Sequence, residues 1–196
     1  PVISQRSPTL FQSLKQIFTS GEALLGYHLR RWKALLPETK LMNLYGPTEA
    51  SIDVSYYDCS NWDGFAEEIP IGRPIFNTGL LILGAGNKIL PYGSVGEIAI
   101  SGVGLAKGYL NKTELTRQKF IAHPTDAHQK VYLTGDLGRW NVKGQLEYLG
   151  RLDDQVKIRG NRIELGEITS KILEFEGVRE SVVIAKKIEL SSHLEL

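Results

Sequence analysis

The sequence predicts a mixed α/β fold: a partial α/β layer, then a small distorted antiparallel β-barrel or sheet, and last a truncated α+β piece. Near the N-terminus, apolar residues at helical spacing lie between two short apolar runs, which is the pattern of an α/β unit. From Ile71 onward, short β-like runs alternate with glycine-rich turns, as in an antiparallel sheet. We therefore expect an α/β part over 1–70, a barrel-like part over 71–152 and the start of a small subdomain over 153–196.

Composition indicates an ordinary globular protein. The chain has 196 residues, of which 42% are hydrophobic and 23% charged, enough for one domain or two small ones. The net charge of +1 argues against a dedicated nucleic-acid surface. No apolar run approaches the roughly 18 residues that a membrane-spanning helix needs. Cys59 is the single cysteine, which excludes a disulfide or a cysteine metal site within the chain.

The cellular location of the protein, and whether the chain is part of a longer one, are inferred from its N-terminal residues. No secretory signal precedes the first predicted elements, so we expect a cytoplasmic protein that contacts no membrane. The chain begins at Pro1 without an initiator methionine. We therefore expect it to be a piece of a longer protein.

The first elements form a predicted strand–helix–strand unit. Residues 14–18 are predicted to be a strand that runs into the turn at 19–21. The helix ends at Pro37, and 40–44 forms the second strand. The helical face is defined by the apolar and aromatic residues Leu24, Leu25, His28, Leu29, Trp32, Leu35 and Leu36.

Short strands dominate the rest of the chain. The barrel-like part is predicted to contain a helix at about 112–120 and strands at Thr78–Leu83, 97–101, 131–134 and 145–149. The C-terminal piece is predicted to have a strand over 155–159, a helix over 165–175 and a strand over 178–185. Strand, helix and strand again suggest an α+β piece.

Residues 43–49 (Asn-Leu-Tyr-Gly-Pro-Thr-Glu) follow a predicted strand at its C-terminal end, where ligands collect in open α/β layers. An aromatic face can stack on a purine, and a hydroxyl with a carboxylate suits Mg²⁺ that bridges phosphate oxygens. On residue types alone, a plain surface turn made by Gly46 and Pro47 is the favoured interpretation of the segment.

Two further glycine-containing motifs are weak evidence for a function by themselves. In 132–136 (Tyr-Leu-Thr-Gly-Asp) an acid follows a strand and could accept two ribose hydroxyls, or simply bond its own hairpin backbone. Residues 101–108 contain glycines, but their spacing and the strand-rich region that follows exclude a dinucleotide fingerprint. There we expect the glycines to make tight turns.

The run 150–168 is predicted to combine a pivot in the backbone with the rim of a ligand site. Arg151, Lys157, Arg159 and Arg162 stand close to several acids, and Gly160 lies where two short strands would turn.

Taken in order, these motifs resemble the adenylation domains of non-ribosomal peptide synthetases (NRPS), members of the adenylate-forming family. The segments that carry the resemblance are 20–23, 43–49, 96–110, 132–137 and 150–168. The residues of 155–160 and 163–168 favour the peptide-synthetase branch over acyl-CoA synthetases.

The resemblance implies a nucleotide site that includes Asn43. Tyr45 would stack on adenine. The opposite wall would be formed by Gly21, Glu22 and Ala23.

The same resemblance assigns the polar contacts of ATP. Thr48 and Glu49 would face the phosphates, with Glu49 as the Mg²⁺ ligand. Asp136 would hold the ribose hydroxyls with help from Tyr148. Arg151 would contact ribose and phosphate, where a planar and permanently charged group suits oxyanions. Thr48, Glu49 and Arg151 would thus be the catalytic residues.

The remaining implied roles concern the substrate and its acceptor. Asp153 would be the hinge of the small subdomain. The phosphopantetheine arm of a peptidyl carrier domain would approach along Arg159, Gly160 and Asn161. Part of the amino-acid pocket would be built by Phe18, Ser20, Leu44 and Ile52.

The implied activity is ATP-dependent formation of an aminoacyl-AMP and its transfer to the carrier, within a multifunctional synthetase that makes secondary metabolites such as antibiotics. The family's upstream phosphate loop, its amino-group-binding aspartate and its C-terminal catalytic lysine have no counterpart in the 196 residues. We therefore expect the chain by itself not to catalyse adenylation. Two alternatives stay open: an aryl- or fatty-acid adenylating enzyme, and a non-catalytic module that binds nucleotide or carrier.

Overall fold

The structure of the chain, a computed structural model, describes residue 11 and residues 13–158, 161–187 and 194–195, without the side chains of 157, 162, 187, 194 and 195. The chain divides into two compact units, Pro1–Gly150 and Arg151–Leu196. The division falls between Gly150 and Arg151, close to Asp153, whose role as a hinge stays a prediction.

The first unit begins with a four-stranded sheet in the order β1 (Gln16–Thr19), β2 (Lys40–Tyr45), β3 (Ser55–Asp58) and β4 (Arg73–Pro74). Strands β1 and β2 are parallel, which requires a crossover connection, and helix α1 (Gly26–Leu35) supplies it. The predicted strand–helix–strand unit is confirmed. Strand β3, antiparallel to β2, was not predicted because its sequence has no apolar alternation.

Helix α1 is held against the first sheet by an apolar cluster. Leu29 is fully buried at the centre of the helix. The cluster comprises Leu29, Leu41, Tyr57, Cys59, Trp62 and Ile69. Burial of the helix face, rather than helix propensity, stabilises such a short helix.

The second sheet of this unit is five-stranded, with strands β5 (Thr78–Leu83), β6 (Gly96–Gly102), β7 (Phe120–His123), β8 (Asp126–Trp140) and β9 (Leu146–Arg151). The order is β5-β6-β8-β7, and β9 pairs with β8. Helix α2 (Thr113–Lys119) precedes β7. The predicted antiparallel sheet and its interrupting helix are confirmed. Strand β7 was not predicted, and the predicted strand 131–134 is only the middle of the 15-residue β8.

One core joins the two sheets of the first unit. Tyr45 and Val54 come from the first sheet and its connection, and they pack with Ile98 and Tyr132 of the second. Ile98 and Tyr132 are fully buried. The end of β2 is therefore held against the middle of β6 and β8.

The second unit contains the antiparallel pair β10 (Val156–Ile158) and β11 (Asn161–Ile163). Helix α3 (Leu165–Leu173) follows, close to the predicted helix 165–175. The unit ends with the antiparallel pair β12 (Lys186–Lys187) and β13 (Leu194–Glu195).

The predicted strand at 178–185 is wrong. These residues form no strand, and Val182 and Ile184 are 85% and 68% exposed. Their β-branched side chains favour strands only where a neighbouring strand packs against them. Among the residues that the structure describes, no helix is long and apolar enough to cross a membrane.

We expect the buried Cys59 thiol to resist alkylation in the folded chain. Cys59 is 1% exposed, and burial raises the pKa of its thiol to about 12. Because the thiolate is the nucleophile, iodoacetamide at pH 8 should label the folded chain about 1,000-fold more slowly than the urea-unfolded chain. Mass spectrometry of timed samples measures both rates. Equal rates in the two states would contradict the buried position.

Candidate active site

The centre of the candidate site is a hydrogen bond between two motifs that are distant in the sequence. The Tyr45 hydroxyl, at the end of β2, donates to Oδ2 of Asp136 on β8 at 2.6 Å. The two residues are 7% and 5% exposed. Two residues that the resemblance assigns to the nucleotide therefore lie side by side, each in a position set by its own strand.

The backbone around Asp136 is fixed by its own motif. The Asp136 N–H donates to Oγ1 of Thr134 at 2.9 Å, and that hydroxyl donates to the Ile98 carbonyl at 2.7 Å. Between them, the Gly135 N–H donates to Oε1 of Glu97 at 2.7 Å. Gly135 has a φ of 76°, which only glycine adopts without strain. The Thr-Gly-Asp sequence thus builds a kinked strand that directs the carboxylate towards Tyr45.

Tyr45 remains a hydrogen-bond donor at any ordinary pH. Burial, and then the neighbouring Asp136 carboxylate, raises the pKa of Tyr45 well above its usual value. The ring of Tyr148 lies 6.3 Å from the Tyr45 ring, tilted by 41°. Because so little of Tyr45 is exposed, its contact with Asp136 is its clearest role in the structure, and stacking on adenine stays a prediction.

The loop 46–53 turns sharply after β2. Gly46 is required there, because an added Cβ would lie 2.2 Å from the Ile52 carbonyl oxygen. Ser51 and Ile52 have φ values of 62° and 77°. A β-branched residue in this region is a strained outlier, and such strain collects at functional sites. The sequence motif therefore makes a tightly constrained loop and not only a simple surface turn.

Thr48 and Glu49 lie in a 3-10 turn, Thr48–Ala50, inside this loop. The Thr48 side chain is exposed and Glu49 is half-buried. Oε1 of Glu49 accepts a hydrogen bond from the Tyr109 hydroxyl at 2.7 Å. The Glu49 carbonyl accepts one from the Ala106 N–H at 2.8 Å. The predicted metal ligand is thus anchored to the segment after β6.

The residues present fit a Mg²⁺ ion that is shared with a substrate. Among the described residues, no group of three or more His, Cys, Asp or Glu side chains could hold a metal. Mg²⁺ at phosphoryl-transfer sites keeps waters and uses one or two carboxylates together with phosphate oxygens. The Glu49 carboxylate beside the Thr48 hydroxyl suits that arrangement.

The predicted pocket residues have polar as well as apolar character. Phe18 and Ile52 are 61% and 67% exposed, and Leu44 is half-buried. The Ser20 hydroxyl donates to Oδ1 of Asp53 at 2.6 Å. Asp53 was not identified from the sequence, although its position beside Ile52 could have suggested it.

The predicted adenine wall follows β1 directly. Gly21, with a φ of 90°, starts a bend, and Glu22 and Ala23 are exposed. Asn43 is different, because it is 2% exposed and its Nδ2 donates to the Pro70 carbonyl at 2.9 Å. That bond ties β2 to the chain before β4. A direct nucleotide contact by Asn43 stays a prediction.

The other predicted residues belong to the second unit. Arg151 pairs with Asp153 through Nε–Oδ1 at 2.6 Å and Nη2–Oδ2 at 2.8 Å. Asn161 is exposed. Arg159 and Gly160 lie outside the described residues, so the expected carrier-arm segment is only partly described.

Tyr109, like Asp53, has no role among the sequence predictions. The segment 101–108 is predicted to contribute only turn glycines, yet Tyr109 follows it directly and donates a hydrogen bond to Glu49. An aromatic residue with a polar tip next to a glycine-rich segment is the signal that could have identified it.

The comparisons with known proteins show which family the chain belongs to. The AMP-binding enzyme family matches residues 3–110, more than half of the chain, and the chain belongs to this family. It is 46% identical over 178 residues to bacitracin synthase 3 of Bacillus licheniformis, covering 91% of this chain and 3% of that protein.

Two solved structures are similar in fold. PA1221, an NRPS protein containing adenylation and PCP domains, has a TM-score of 0.84 and 31% identity over 94% of this chain and 38% of its own. The Vibrio cholerae adenylation domain AlmE, in complex with glycyl-adenosine-5'-phosphate, has a TM-score of 0.74 and 36% identity, covering 85% of this chain and 32% of its own. The chain therefore spans less than two fifths of these proteins. The resemblance to adenylation domains is confirmed.

We expect Ile52→Gly to stabilise the chain by about 1 kcal/mol. It should relieve a strained backbone that costs about 1–3 kcal/mol, offset by the roughly 0.5–1 kcal/mol of glycine's extra conformational entropy. Urea denaturation measures the free energy of unfolding. Ile89→Gly is the control, since Ile89 is 44% exposed and has no left-handed backbone, and it should destabilise. Destabilisation by both variants would contradict strain at Ile52.

Proposed function

We propose that this chain is part of a ligase that joins an amino acid to ATP as an aminoacyl-AMP and passes it to a phosphopantetheine arm on a carrier domain. The single observation that carries the proposal is the Tyr45–Asp136 hydrogen bond of 2.6 Å. It places the two motifs expected to hold a nucleoside at one location. Membership of the AMP-binding family and the adenylate held by the similar protein AlmE support it.

Asp136 is proposed to accept hydrogen bonds from the ribose hydroxyls. A carboxylate accepts such bonds more strongly than a neutral group does. The Tyr45 hydroxyl and the kinked Thr134–Asp136 backbone restrain the carboxylate. A restrained acceptor loses little entropy when the nucleoside binds, which favours affinity.

Thr48, Glu49 and Arg151 are proposed to act on the phosphates. A bound Mg²⁺ would supply charge neutralisation at the phosphate oxygens. A carboxylate oxygen of the amino acid attacks the α-phosphorus of ATP and forms a new P–O bond. The bond between the α-phosphorus and the oxygen that bridges it to the β-phosphorus breaks, and pyrophosphate leaves. Positioning and electrostatic stabilisation carry most of such a step.

The predicted pocket residues support a proposal for the substrate class. Phe18 and Ile52 offer exposed apolar surface, whereas Ser20 and Asp53 form a bonded hydroxyl–carboxylate pair. A carboxylate at this position favours a side chain with an N–H or O–H donor. We propose an amino acid that combines an apolar stem with such a donor.

Asp153 is proposed as the hinge for the transfer step. Its carboxylate accepts both Arg151 contacts and the Gln155 N–H at 3.3 Å. Rotation there would first have to release these donors, a hinge transition of the kind that switches many enzymes. The carrier arm would approach near Asn161. We also propose a cytoplasmic location, as expected from the sequence.

We expect Asp136→Asn in the full-length protein to lower kcat/KM for ATP about 10- to 150-fold in amino-acid-dependent pyrophosphate exchange. Hydrogen bonds to charged groups contribute about 1.5–3 kcal/mol, which corresponds to that range. Panels of amino, aryl and fatty acids identify the substrate class.

Asp126→Asn is the matched control, because Asp126 starts the same strand β8 and its carboxylate accepts hydrogen bonds from its own hairpin, from the His128 N–H and the Gln129 side chain. It should leave the exchange rate unchanged. Exchange with aryl or fatty acids alone, or equal effects of the two variants, would count against the proposal.

A further inference from the structure

Tyr109 connects the predicted metal ligand to a separate part of the fold. Its hydroxyl donates to Oε1 of Glu49 at 2.7 Å, across 60 positions in the sequence. Both residues are half-buried. No role for Tyr109 follows from its sequence motif, which otherwise contains glycines for turns.

Tyr109 is itself held by helix α2. Its N–H donates to Oγ1 of Thr116 at 2.9 Å, and that hydroxyl donates to the Lys112 carbonyl at 2.9 Å. A Cβ at Gly108 would lie 2.4 Å from Cγ2 of Thr116, so only glycine permits this close approach. The backbone at 108–109 is thus fixed against the start of the helix.

The ring and the hydroxyl of Tyr109 are also packed. The ring meets Phe120 edge-on at a centroid distance of 5.7 Å. The hydroxyl lies 3.4 Å from the hydroxyl of the fully buried Tyr132. The edge-on contact of the ring and the hydrogen bond of the hydroxyl to Glu49 together hold the phenol at the carboxylate.

We propose that Tyr109 is a positioning residue that orients the Glu49 carboxylate for the divalent cation bound with ATP. Groups that hydrogen-bond to a metal-ligating carboxylate fix its orientation, and their loss typically weakens metal binding about 10- to 100-fold. A rigid support matters here because the single carboxylate and the substrate phosphates must share the ion. This inference rests on the proposed role of Glu49.

The test compares Tyr109→Phe, Glu49→Gln and Tyr92→Phe in the full-length protein. Tyr109→Phe removes one hydroxyl and keeps the ring. Tyr92 is 71% exposed and stacks on Trp140, so Tyr92→Phe is the matched control. Electron paramagnetic resonance measures the binding of Mn²⁺ in the presence of a non-hydrolysable ATP analogue. Exchange assays at varied Mg²⁺ give the half-saturating concentration and kcat separately.

We expect Tyr109→Phe to weaken Mn²⁺ binding and to raise the half-saturating Mg²⁺ concentration about 10-fold, with kcat restored at saturating Mg²⁺. Glu49→Gln should weaken both further, and Tyr92→Phe should change neither. A purely structural role would lower the melting temperature without moving the metal dependence.

The outcomes separate the inference from the proposed function. Normal metal dependence in Tyr109→Phe with weakened binding in Glu49→Gln would overturn the inference alone. Normal metal dependence in Glu49→Gln would overturn the role of Glu49 itself. Should Tyr109→Phe not fold, difluorotyrosine at position 109, a more acidic donor of nearly the same shape, should shift the half-saturating concentration at least about 2-fold. No shift there would also overturn the inference.

Discussion

The hydrogen bond between Tyr45 and Asp136 is the interaction on which the rest of the site depends. It joins the last residue of β2 to the kink in β8 and lies in the core shared by the two sheets of the first unit. Because both groups are almost fully buried, neither can lose its partner without a substantial cost. The sheets therefore cannot shift relative to each other at this point without disturbing the proposed ribose acceptor.

A second constraint, on the loop after β2, follows from the first. Once Tyr45 is fixed, the chain turns back at once, and Val54 donates its N–H to the Tyr45 carbonyl at 2.7 Å. Gly46 permits the close crossing and Ile52 takes up the strain. The same turn presents Glu49 to Tyr109. Of the proposed contacts, those of Thr48 and Glu49 to the phosphates and that of Ile52 to the substrate side chain thus come from this one short connection.

Much of the fold, and part of the candidate site, could be predicted from the sequence. Strand β5, helix α1 and the glycine-punctuated sheet have local signals that their packing reinforces. Strand β3 and the short β7 lack those signals, since they pair only because a neighbouring strand is already in place. The β-branched run after α3 is the opposite case. Its local signal predicts a strand, but the structure has none there. Asp53 and Tyr109 have only weak local signals, and their partners lie 33 and 60 residues away, so a single sequence does not show these pairings.

The most direct test of this account is a double-mutant cycle on the chain with Tyr45→Phe, Asp136→Ala and the double variant. The free energies of unfolding come from urea denaturation. A buried hydrogen bond to a carboxylate predicts a coupling energy of about 1.5–3 kcal/mol between the two sites. Additivity within about 0.5 kcal/mol would contradict the claim that this bond organises the site.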